Sequence, residues 1–252
     1  MSPLYSGQEQ KQYLITWNEQ TSRWFIEASA YTGFHKALAQ KIISHLDPGD
    51  TLCDICCGLG RLDLEIAPYI SKVHAIDVSE YATTTLRQDT ERAGISNLQV
   101  LRGDAAELQG SFDIILISLY NGLDMPQLLR HCRRKMIRIV SAGKKSGLYP
   151  ERHRRVTKNA ILDIRNELAM LGATYSLEYC SLEFGQPLRT WRDAELFVLS
   201  NAPDANPEEI HDFLSTNIKD VGHGEFPFYL PYLKELGIFI IEQIEGRSCL
   251  LV

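Results

Sequence analysis

The stretch Thr51–Gly60, TLCDICCGLG, decides the fold. A short apolar strand runs into Asp54 and then into a turn that contains Gly58 and Gly60. The next apolar run, Val73–Asp77 (VHAID), ends on a carboxylate 19 residues after Gly58. Glycines in such a turn let the backbone approach a ligand, and a carboxylate at the end of the following strand can accept hydrogen bonds from both hydroxyls of a ribose. The two segments predict a nucleoside-binding site at the carboxyl edge of a parallel sheet.

Strands and helices alternate through most of the chain. Helical patterns lie between the apolar runs, including one over Met125–Arg134, and the fourth run, FDIILIS, is almost continuously apolar. This alternation predicts an α/β fold with a doubly wound, mostly parallel, seven-stranded sheet covered by helices on both faces. The predicted strands are Thr51–Ile55, Val73–Asp77, Leu98–Leu101, Phe112–Ser118, Met136–Ser141, Tyr175–Phe184 and Gly237–Ile244.

Two segments stand outside this alternation. Residues 1–50 are predicted to be an N-terminal helical segment, because large apolar residues recur at spacings of three, four and seven. Residues 186–236 separate the sixth strand from the seventh and are too many for a hairpin turn. We therefore expect an inserted cap at 186–236, and an α/β core made of residues 51–185 and 237–252.

The composition indicates a globular protein of the cytoplasm. The chain has 252 residues, 44% of them hydrophobic, and a net charge of −6, which argues mildly against general nucleic-acid binding. The first residues are polar, and no apolar run approaches the ~18 residues of a membrane span, so no membrane association is expected. The six cysteines include only one close group, so we expect free thiols and no metal site.

The ordered motifs resemble those of the class I S-adenosylmethionine (SAM)-dependent methyltransferases. In that family the first strand ends in an acid that is followed by x-Gly-x-Gly-x-Gly; here Asp54, Cys56, Gly58 and Gly60 stand in those places, with Cys56 replacing the first glycine. The resemblance covers roughly Gly33–Phe184 and the last strand. It implies SAM as the cofactor, S-adenosylhomocysteine (SAH) as its product, and an antiparallel seventh strand beside the fifth.

The resemblance also implies the cofactor contacts. Asp77 would hold the ribose hydroxyls, Val78 would pack on the adenine, and Asp104 would accept from the adenine amino group. Ser118 and Leu119 would line the methionine portion. The cofactor-binding residues implied are Asp54, Cys56, Cys57, Gly58, Gly60, Asp77, Val78, Gly103, Asp104, Ala105, Ser118 and Leu119.

Three residues are candidates for catalysis, and two of them have a structural alternative. Tyr120 and Asn121 follow the fourth strand, where an acceptor should meet the methyl group, but Tyr120 could equally be a packing residue. His35 is the best histidine candidate for a general base, although it could simply pack among the aromatic residues of the N-terminal helices. Glu183, close to the end of the sixth strand, could orient an acceptor.

Rival nucleotide and acceptor classes fit less well. A nicotinamide-binding fingerprint, G-x-G-x-x-G, would need a glycine where Arg61 stands. Some enzymes that methylate amide or exocyclic amino nitrogens carry Asn/Asp-Pro-Pro-Tyr after the fourth strand, and residues 118–121 contain no proline. DNA-adenine and glutamine-amide methylation therefore lose support.

The strongest charge asymmetry lies at residues 130–158, which contain eleven Lys or Arg and one acid, Glu151. This stretch is either a solvated surface or a docking site for an anionic partner such as RNA. The sequence as a whole predicts a SAM-dependent methyltransferase with a small-molecule acceptor. The alternatives are an RNA- or protein-modifying methyltransferase and a non-catalytic SAM-binding protein.

Overall fold

A seven-stranded sheet forms the centre of the protein in the computed structural model, which describes residues 16–120, 123–143, 147–153 and 160–242. Its order is β3-β2-β1-β4-β5-β10-β6. The strands, numbered along the chain, are β1 (Thr51–Ile55), β2 (Lys72–Asp77), β3 (Leu98–Arg102), β4 (Phe112–Ser118), β5 (Cys132–Ser141), β6 (Tyr175–Glu183), β7 (Gln186–Leu188), β8 (Lys219–Asp220), β9 (Phe228–Leu230) and β10 (Leu233–Glu242).

The strand directions match the sequence prediction. Strands β1 to β5 pair in parallel, whereas β10 runs antiparallel to both β5 and β6. The predicted reversed last strand beside the fifth is therefore confirmed. All strand ends that carry predicted ligand contacts consequently meet at one edge of the sheet.

Helices cover both faces of this sheet. The helices are α1 (Glu19–Thr32), α2 (Phe34–Ile43), α3 (Arg61–Ile66), α4 (Glu80–Arg92), α5 (Met125–Leu129), α6 (Ala160–Leu171), α7 (Trp191–Asn201) and α8 (Pro207–Asn217). One core cluster packs α2, α3 and α4 on the sheet, and a second packs α5 and α6 on the opposite face. The sheet is buried on both sides, which explains the continuous apolar run of β4.

The predicted helix over Met125–Arg134 is wrong beyond Leu129. Helix α5 ends there, and β5 begins at Cys132. Arg133 and Arg134 therefore lie on a strand, where Arg133 pairs with Asp113 at 2.9 Å and Arg134 pairs with Asp47 at 2.8 Å. These ion pairs stabilise the charged residues at the start of β5, whose later residues are mostly apolar.

The last strand also begins earlier than predicted, at Leu233 rather than Gly237. Leu233 pairs with Glu183, and the register continues without a break to Ile241 opposite Tyr175. Pairing with β6 thus extends the strand across the charged Lys234 and Glu235. Residues 243–252, which include the predicted end of this strand, lie outside the described residues.

The segment between β6 and β10 contains α7, α8 and a small antiparallel sheet of order β7-β9-β8. Gly185 enters this segment where a Cβ would overlap the Tyr229 hydroxyl and the Leu230 carbonyl oxygen, so only glycine fits. The segment has its own buried cluster, which includes Phe197, Leu214 and Leu230.

Helix α1 packs on this inserted segment rather than standing apart from it. Trp24 belongs to the segment's buried cluster, and its indole nitrogen donates to Asp193 Oδ1 at 2.9 Å. Arg23 makes an ion pair with the same carboxylate at 2.5 Å. Helix α1 ends at Gly33, whose left-handed φ of 65° lets α2 begin at Phe34 without a linker. The N-terminal helices therefore connect the inserted segment to the sheet.

Candidate functional site

The carboxylate of Asp77 lies at the centre of the carboxyl edge and joins two turns. Its Oδ2 accepts from the backbone nitrogen of Gly58 at 2.8 Å, and its Oδ1 accepts from that of Ser79 at 2.8 Å. Asp77 is 9% exposed. Each of its oxygens keeps acceptor capacity, since a carboxylate offers about four lone-pair sites. The arrangement fixes Asp77 and leaves it able to accept two further hydrogen bonds.

The turn after β1 is built from left-handed backbone. Cys56, Gly58 and Gly60 have φ values of 60°, 56° and 60°. A Cβ on Gly60 would overlap the side chain of Leu86 on α4, and one on Gly58 would come within 3.1 Å of the Trp17 ring. The two glycines are therefore required both by the backbone conformation and by close packing.

Backbone strain concentrates at this edge. Among the described residues, Cys56 and Leu119 are the non-glycine residues with positive φ, at 60° and 58°. Cys56 follows β1 and Leu119 follows β4, the neighbouring strand. Residues held in this sparsely populated conformation cluster at ligand sites, where surrounding structure imposes them. Both residues belong to the predicted cofactor set.

Sequence reasoning missed Asp63, which faces Asp54 from α3. Asp54 is 2% exposed and Asp63 is fully buried, and no described donor satisfies Asp54 Oδ1 or either Asp63 oxygen. Burial, and then the neighbouring Asp63, raise the pKa of Asp54 well above its usual range; burial raises the pKa of Asp63 to about 7. The Asp63 oxygens can gain a donor from Asp54 only if one of the two carboxyl groups is protonated, and the raised pKa values leave the pair with a shared proton near neutral pH. The sequence could have indicated this pair, because Asp63 is an acidic residue among the buried positions of α3 (Leu62, Asp63, Ile66).

The residues predicted to contact the adenine follow the ends of β2 and β3. Val78 is 47% exposed, which leaves an apolar surface free at the edge. Asp104 caps a short 3-10 helix over Ala105–Glu107, because its Oδ1 accepts from the Ala106 nitrogen at 2.9 Å. Gly103 donates its backbone nitrogen to the Asp77 carbonyl oxygen at 3.1 Å. These residues thus border the same crevice as Asp77.

Tyr120 follows the end of β4, one residue after Leu119, and packs partly buried against the core cluster of α5 and α6. Burial raises its pKa, and Cys56, Asp104 and Asp77 raise it further, so these groups lie within electrostatic range of its hydroxyl. Tyr120 stays protonated at neutral pH and can donate a hydrogen bond. Ser118 ends β4 itself. Asn121, which the sequence places beside it, lies outside the described residues.

The thiols at this turn are poor nucleophiles. Burial, and then Asp77, Asp54 and Asp104, raise the pKa of Cys56 to about 12. Burial likewise raises the pKa of Cys57, whose backbone nitrogen donates to the Ile76 carbonyl oxygen at 3.1 Å. Both cysteines therefore act through shape and backbone position, because the reactive thiolate form is absent near neutral pH. Within the described residues, no cluster of three or more His, Cys, Asp or Glu could hold a metal ion.

His35 lies in an aromatic wall beside the crevice rather than open to it. Trp17 contacts Phe25 at 5.2 Å between ring centroids, and Phe25 contacts both His35 at 5.3 Å and Phe184 at 5.5 Å. His35 Nδ1 is 2.7 Å from the Ser29 hydroxyl. Burial, then Lys234 and Arg61, lower the pKa of His35 to about 3. Such a histidine is neutral but a very weak base, which disfavours its role as a general base.

Glu183 ends β6 at the same edge, and its Oε1 accepts a hydrogen bond from the Tyr229 hydroxyl. Tyr229 in turn stacks against Tyr31 of α1, with 5.1 Å between ring centroids. Tyr31 is 48% exposed. Glu183 is therefore held by the inserted segment and lies farther from Asp77 than Tyr120 does along the strand order.

The basic stretch is largely paired with acids where the structure describes it. Besides Arg133 and Arg134, Arg138 is 4% exposed and pairs with Glu167 at 3.5 Å, and Arg152 pairs with Glu209. Residues 144–146 and 154–158 of the stretch lie outside the described residues. These ion pairs reduce the positive field that an RNA partner would need. Among the described helices, none is long and apolar enough to cross a bilayer.

Known proteins match the region around this edge. Residues 52–140 match a family described as a methyltransferase domain. A probable cobalt-precorrin-6B C(15)-methyltransferase (decarboxylating) of Methanococcus maripaludis is 35% identical over 99 residues, which are 39% of this chain and 55% of that protein. A demethylmenaquinone methyltransferase of Bacillus cereus is 29% identical over 119 residues, covering 44% and 49%. The chain thus spans about half the length of these curated relatives.

Solved structures share the fold at low sequence identity. The YcgJ protein of Bacillus subtilis aligns with a TM-score of 0.53 at 13% identity, covering 82% of this chain and 98% of that one. A precorrin 8W decarboxylase of Methanobacterium thermoautotrophicum aligns with a TM-score of 0.50 at 15% identity, covering 83% and 89%. The chain therefore has the fold that these solved structures share, and its residues 52–140 match the methyltransferase-domain family.

Proposed function

We propose that this protein transfers a methyl group from SAM to a small-molecule acceptor. The observation that carries the proposal is the position of Asp77, whose buried carboxylate is fixed by two backbone nitrogens and still has acceptor capacity at the mouth of a glycine turn. This is the chemistry that a ribose diol needs. The matched methyltransferase domain spans the same residues.

The residues at the crevice fit the rest of the cofactor. The unpartnered Asp54 Oδ1 is an acceptor for the amino group of the methionine portion. The missing Cβ atoms of Gly58 and Gly60 let Trp17 and Leu86 pack on the left-handed turn, which holds its backbone at the border of the crevice. The exposed apolar surface of Val78 suits the adenine ring, and Asp104 can accept from its amino group.

Alignment and exclusion of water are the protein's contributions to methyl transfer. When bound, SAM supplies a methyl group on a sulfonium centre that is already a good leaving group. Tyr120, neutral and donating at the end of β4, would position the acceptor in line with that methyl group. Trp17, packed on Gly58, would cover the turn and keep water out. A general base is needed only where the acceptor atom arrives protonated with a high pKa.

A small acceptor is favoured over a macromolecule for two reasons. The relatives that match the domain are named for small acceptors, a cobalt-precorrin and a demethylmenaquinone. The described cations of the basic stretch are mostly neutralised by acids, which weakens the case for RNA. The RNA- or protein-modifying enzyme and the non-catalytic SAM-binding protein are the alternatives that experiment must separate.

The acceptor class can be tested with SAM that carries a radiolabelled methyl group. We expect label to enter a metabolite fraction that has passed an ultrafiltration membrane, and not the retained RNA and protein. Label in retained RNA or protein would favour the macromolecular alternative. Tight SAH binding without transfer to either fraction would favour the non-catalytic protein.

Replacing Asp77 with alanine should weaken SAH binding at least about tenfold, because each lost hydrogen bond to a charged, desolvated group costs about 1.5–3 kcal/mol. Isothermal titration calorimetry measures this change. The control is Glu80→Ala, since Glu80 is an exposed acid just beyond the same strand, with 74% of its side chain accessible. Equal affinities in the two variants would contradict the ribose assignment. Asp77→Ala also loses two internal hydrogen bonds. A thermal unfolding curve must therefore show that the variant is still folded at the assay temperature.

Replacing Tyr120 with phenylalanine removes the hydroxyl and keeps the ring. We expect the rate of label transfer to fall at least about fivefold while the Kd for SAH changes less than about twofold, because the hydroxyl is assigned to the acceptor. Transfer assays and calorimetry on the same preparation measure both quantities. A variant that loses SAH affinity but keeps its maximal rate would move Tyr120 to the cofactor side.

The shared proton of Asp54 and Asp63 predicts a dependence of stability on pH. Because folding raises the pKa of these acids, the native state binds more protons than the unfolded chain, and the free energy of unfolding falls as the pH rises from about 4 to 7. Asp63→Asn should remove the part of this loss that comes from Asp63, so the variant should gain on the order of 1–3 kcal/mol in unfolding free energy, compared with wild type, between pH 5 and pH 8. Urea unfolding at the two pH values, with the exposed Asp204→Asn as control, measures it. Parallel profiles for wild type and Asp63→Asn would refute the shared proton.

A further inference from the structure

Lys234 lies at the same edge of the sheet as the cofactor crevice. It is the second residue of β10, and β10 runs antiparallel to β5, so its first residues lie beside the end of β5. Leu236, Ile238 and Ile240 pack in the cluster that contains Phe34. Side chains alternate along a strand, so Lys234 leaves the sheet on the face covered by α2.

The ammonium group of Lys234 faces aromatic rings. Its Nζ is 5.3 Å from the centroid of the Phe184 ring and 6.0 Å from that of Phe34. Phe184 contacts Phe25, which contacts Trp17, and Trp17 lies on the glycine turn. A continuous aromatic wall therefore runs from the cofactor turn to Lys234.

No anionic partner accompanies this cation within the described residues. Other described cations withdrawn from solvent have an oxygen acceptor: Arg61 pairs with Asp89, Arg134 with Asp50 and Arg138 with Glu167, and Lys135 Nζ donates to the His45 carbonyl oxygen at 3.2 Å. Glu183, opposite Leu233 in the register, is instead hydrogen-bonded to Tyr229. The nearby His35 is neutral, and burial lowers the pKa of Lys234 to about 8, so the ammonium is charged at pH 7.

A half-buried ammonium with only ring faces as partners costs free energy that a bound anion would recover. Cation–π contacts supply part of the compensation and leave the N–H donors of the ammonium without oxygen acceptors. A carboxylate on a planar or apolar molecule matches both the charge and the wall, because its apolar body can pack on Phe184 and Phe34 while its oxygens accept from Nζ.

We propose that Lys234 anchors a carboxylate group of the methyl acceptor. The acceptor is then a small organic acid whose apolar body lies against the aromatic wall, with the atom to be methylated directed toward the glycine turn. The statement that the ligand is a methyl acceptor rests on the proposed methyl transfer. Recognition of the carboxylate itself can be tested without turnover.

The test compares benzoate with the neutral, equally sized benzamide at pH 7, by ligand-observed NMR titration with and without saturating SAH. We expect wild type to bind benzoate at least about tenfold more tightly than benzamide, and Lys234→Met to lose this preference. The control is Lys41→Met, which removes an exposed lysine of α2. Equal binding of the two probes to wild type, or an unchanged preference in Lys234→Met, would overturn the proposal.

Calorimetry with SAH tests whether Lys234 binds the carboxylate of the acceptor or that of the cofactor itself. We expect Lys234→Met to change the Kd for SAH less than about twofold; a loss of tenfold or more would assign the lysine to the cofactor's own carboxylate and overturn the acceptor assignment. Lys234→Met should also unfold at or above the wild-type temperature, since it removes a half-buried charge that has no anionic partner among the described residues. A lower midpoint, with benzoate preference lost in Lys234→Arg as well, would make Lys234 a structural residue. Failure of wild type to bind SAH while benzoate preference persists would reject methyl transfer and leave the anion site standing.

Discussion

The carboxylate of Asp77 is the interaction on which the crevice depends. It accepts from Gly58 in the turn after β1 and from Ser79 at the start of α4, so one side chain sets the distance between two turns on adjacent strands. The left-handed residues of the first turn can hold their positions because Asp77 fixes the Gly58 nitrogen and Leu86 fills the space left by the missing Cβ of Gly60. The structural role and the proposed ligand-binding role would thus coincide in one carboxylate, since its oxygens can accept more than one hydrogen bond each.

Helix α1 connects the crevice with the inserted segment. Trp24, on one side of the helix, is buried with α7 and bonded to Asp193, whereas Phe25, the next residue, belongs to the aromatic wall. Trp17, just before the helix, lies on Gly58. A displacement of the inserted segment would therefore move the residues that cover the glycine turn. This gives a physical reason for a long insertion between β6 and β10: it would support the proposed acceptor side of the site without interrupting the sheet.

The core could be predicted from sequence because its signals are local and strong. Short apolar runs predicted β1, β2 and β4, and the glycine turn with its distal acid predicted the edge at which ligand contacts would meet. The errors occurred where tertiary partners override local pattern. The sequence pattern predicted that Arg133 and Arg134 lie on a helix surface. In the structure they lie on a strand, where they form ion pairs with Asp113, Asp47 and Asp50. The Asp54–Asp63 pair and the position of Lys234 were not predicted, because a single charged residue in an apolar pattern does not indicate whether it is buried or which residue it contacts.

The groups that sequence reasoning missed share one property: each is an ionisable side chain withdrawn from water without an opposite charge. Stability alone would not retain them, because buried ionisable groups are costly unless paired, and this protein pairs Arg61, Arg134 and Arg138. The acids lie at the turn after β1, near the end of the aromatic wall formed by Trp17, and the ammonium lies at its other end beside Phe184. Their signs are complementary to the two ends of a proposed reaction complex, a cofactor amino group at Asp54 and an acceptor carboxylate at Lys234. The free energy lost to their burial would then be recovered only when both ligands are bound, which couples occupancy of the site to its stability.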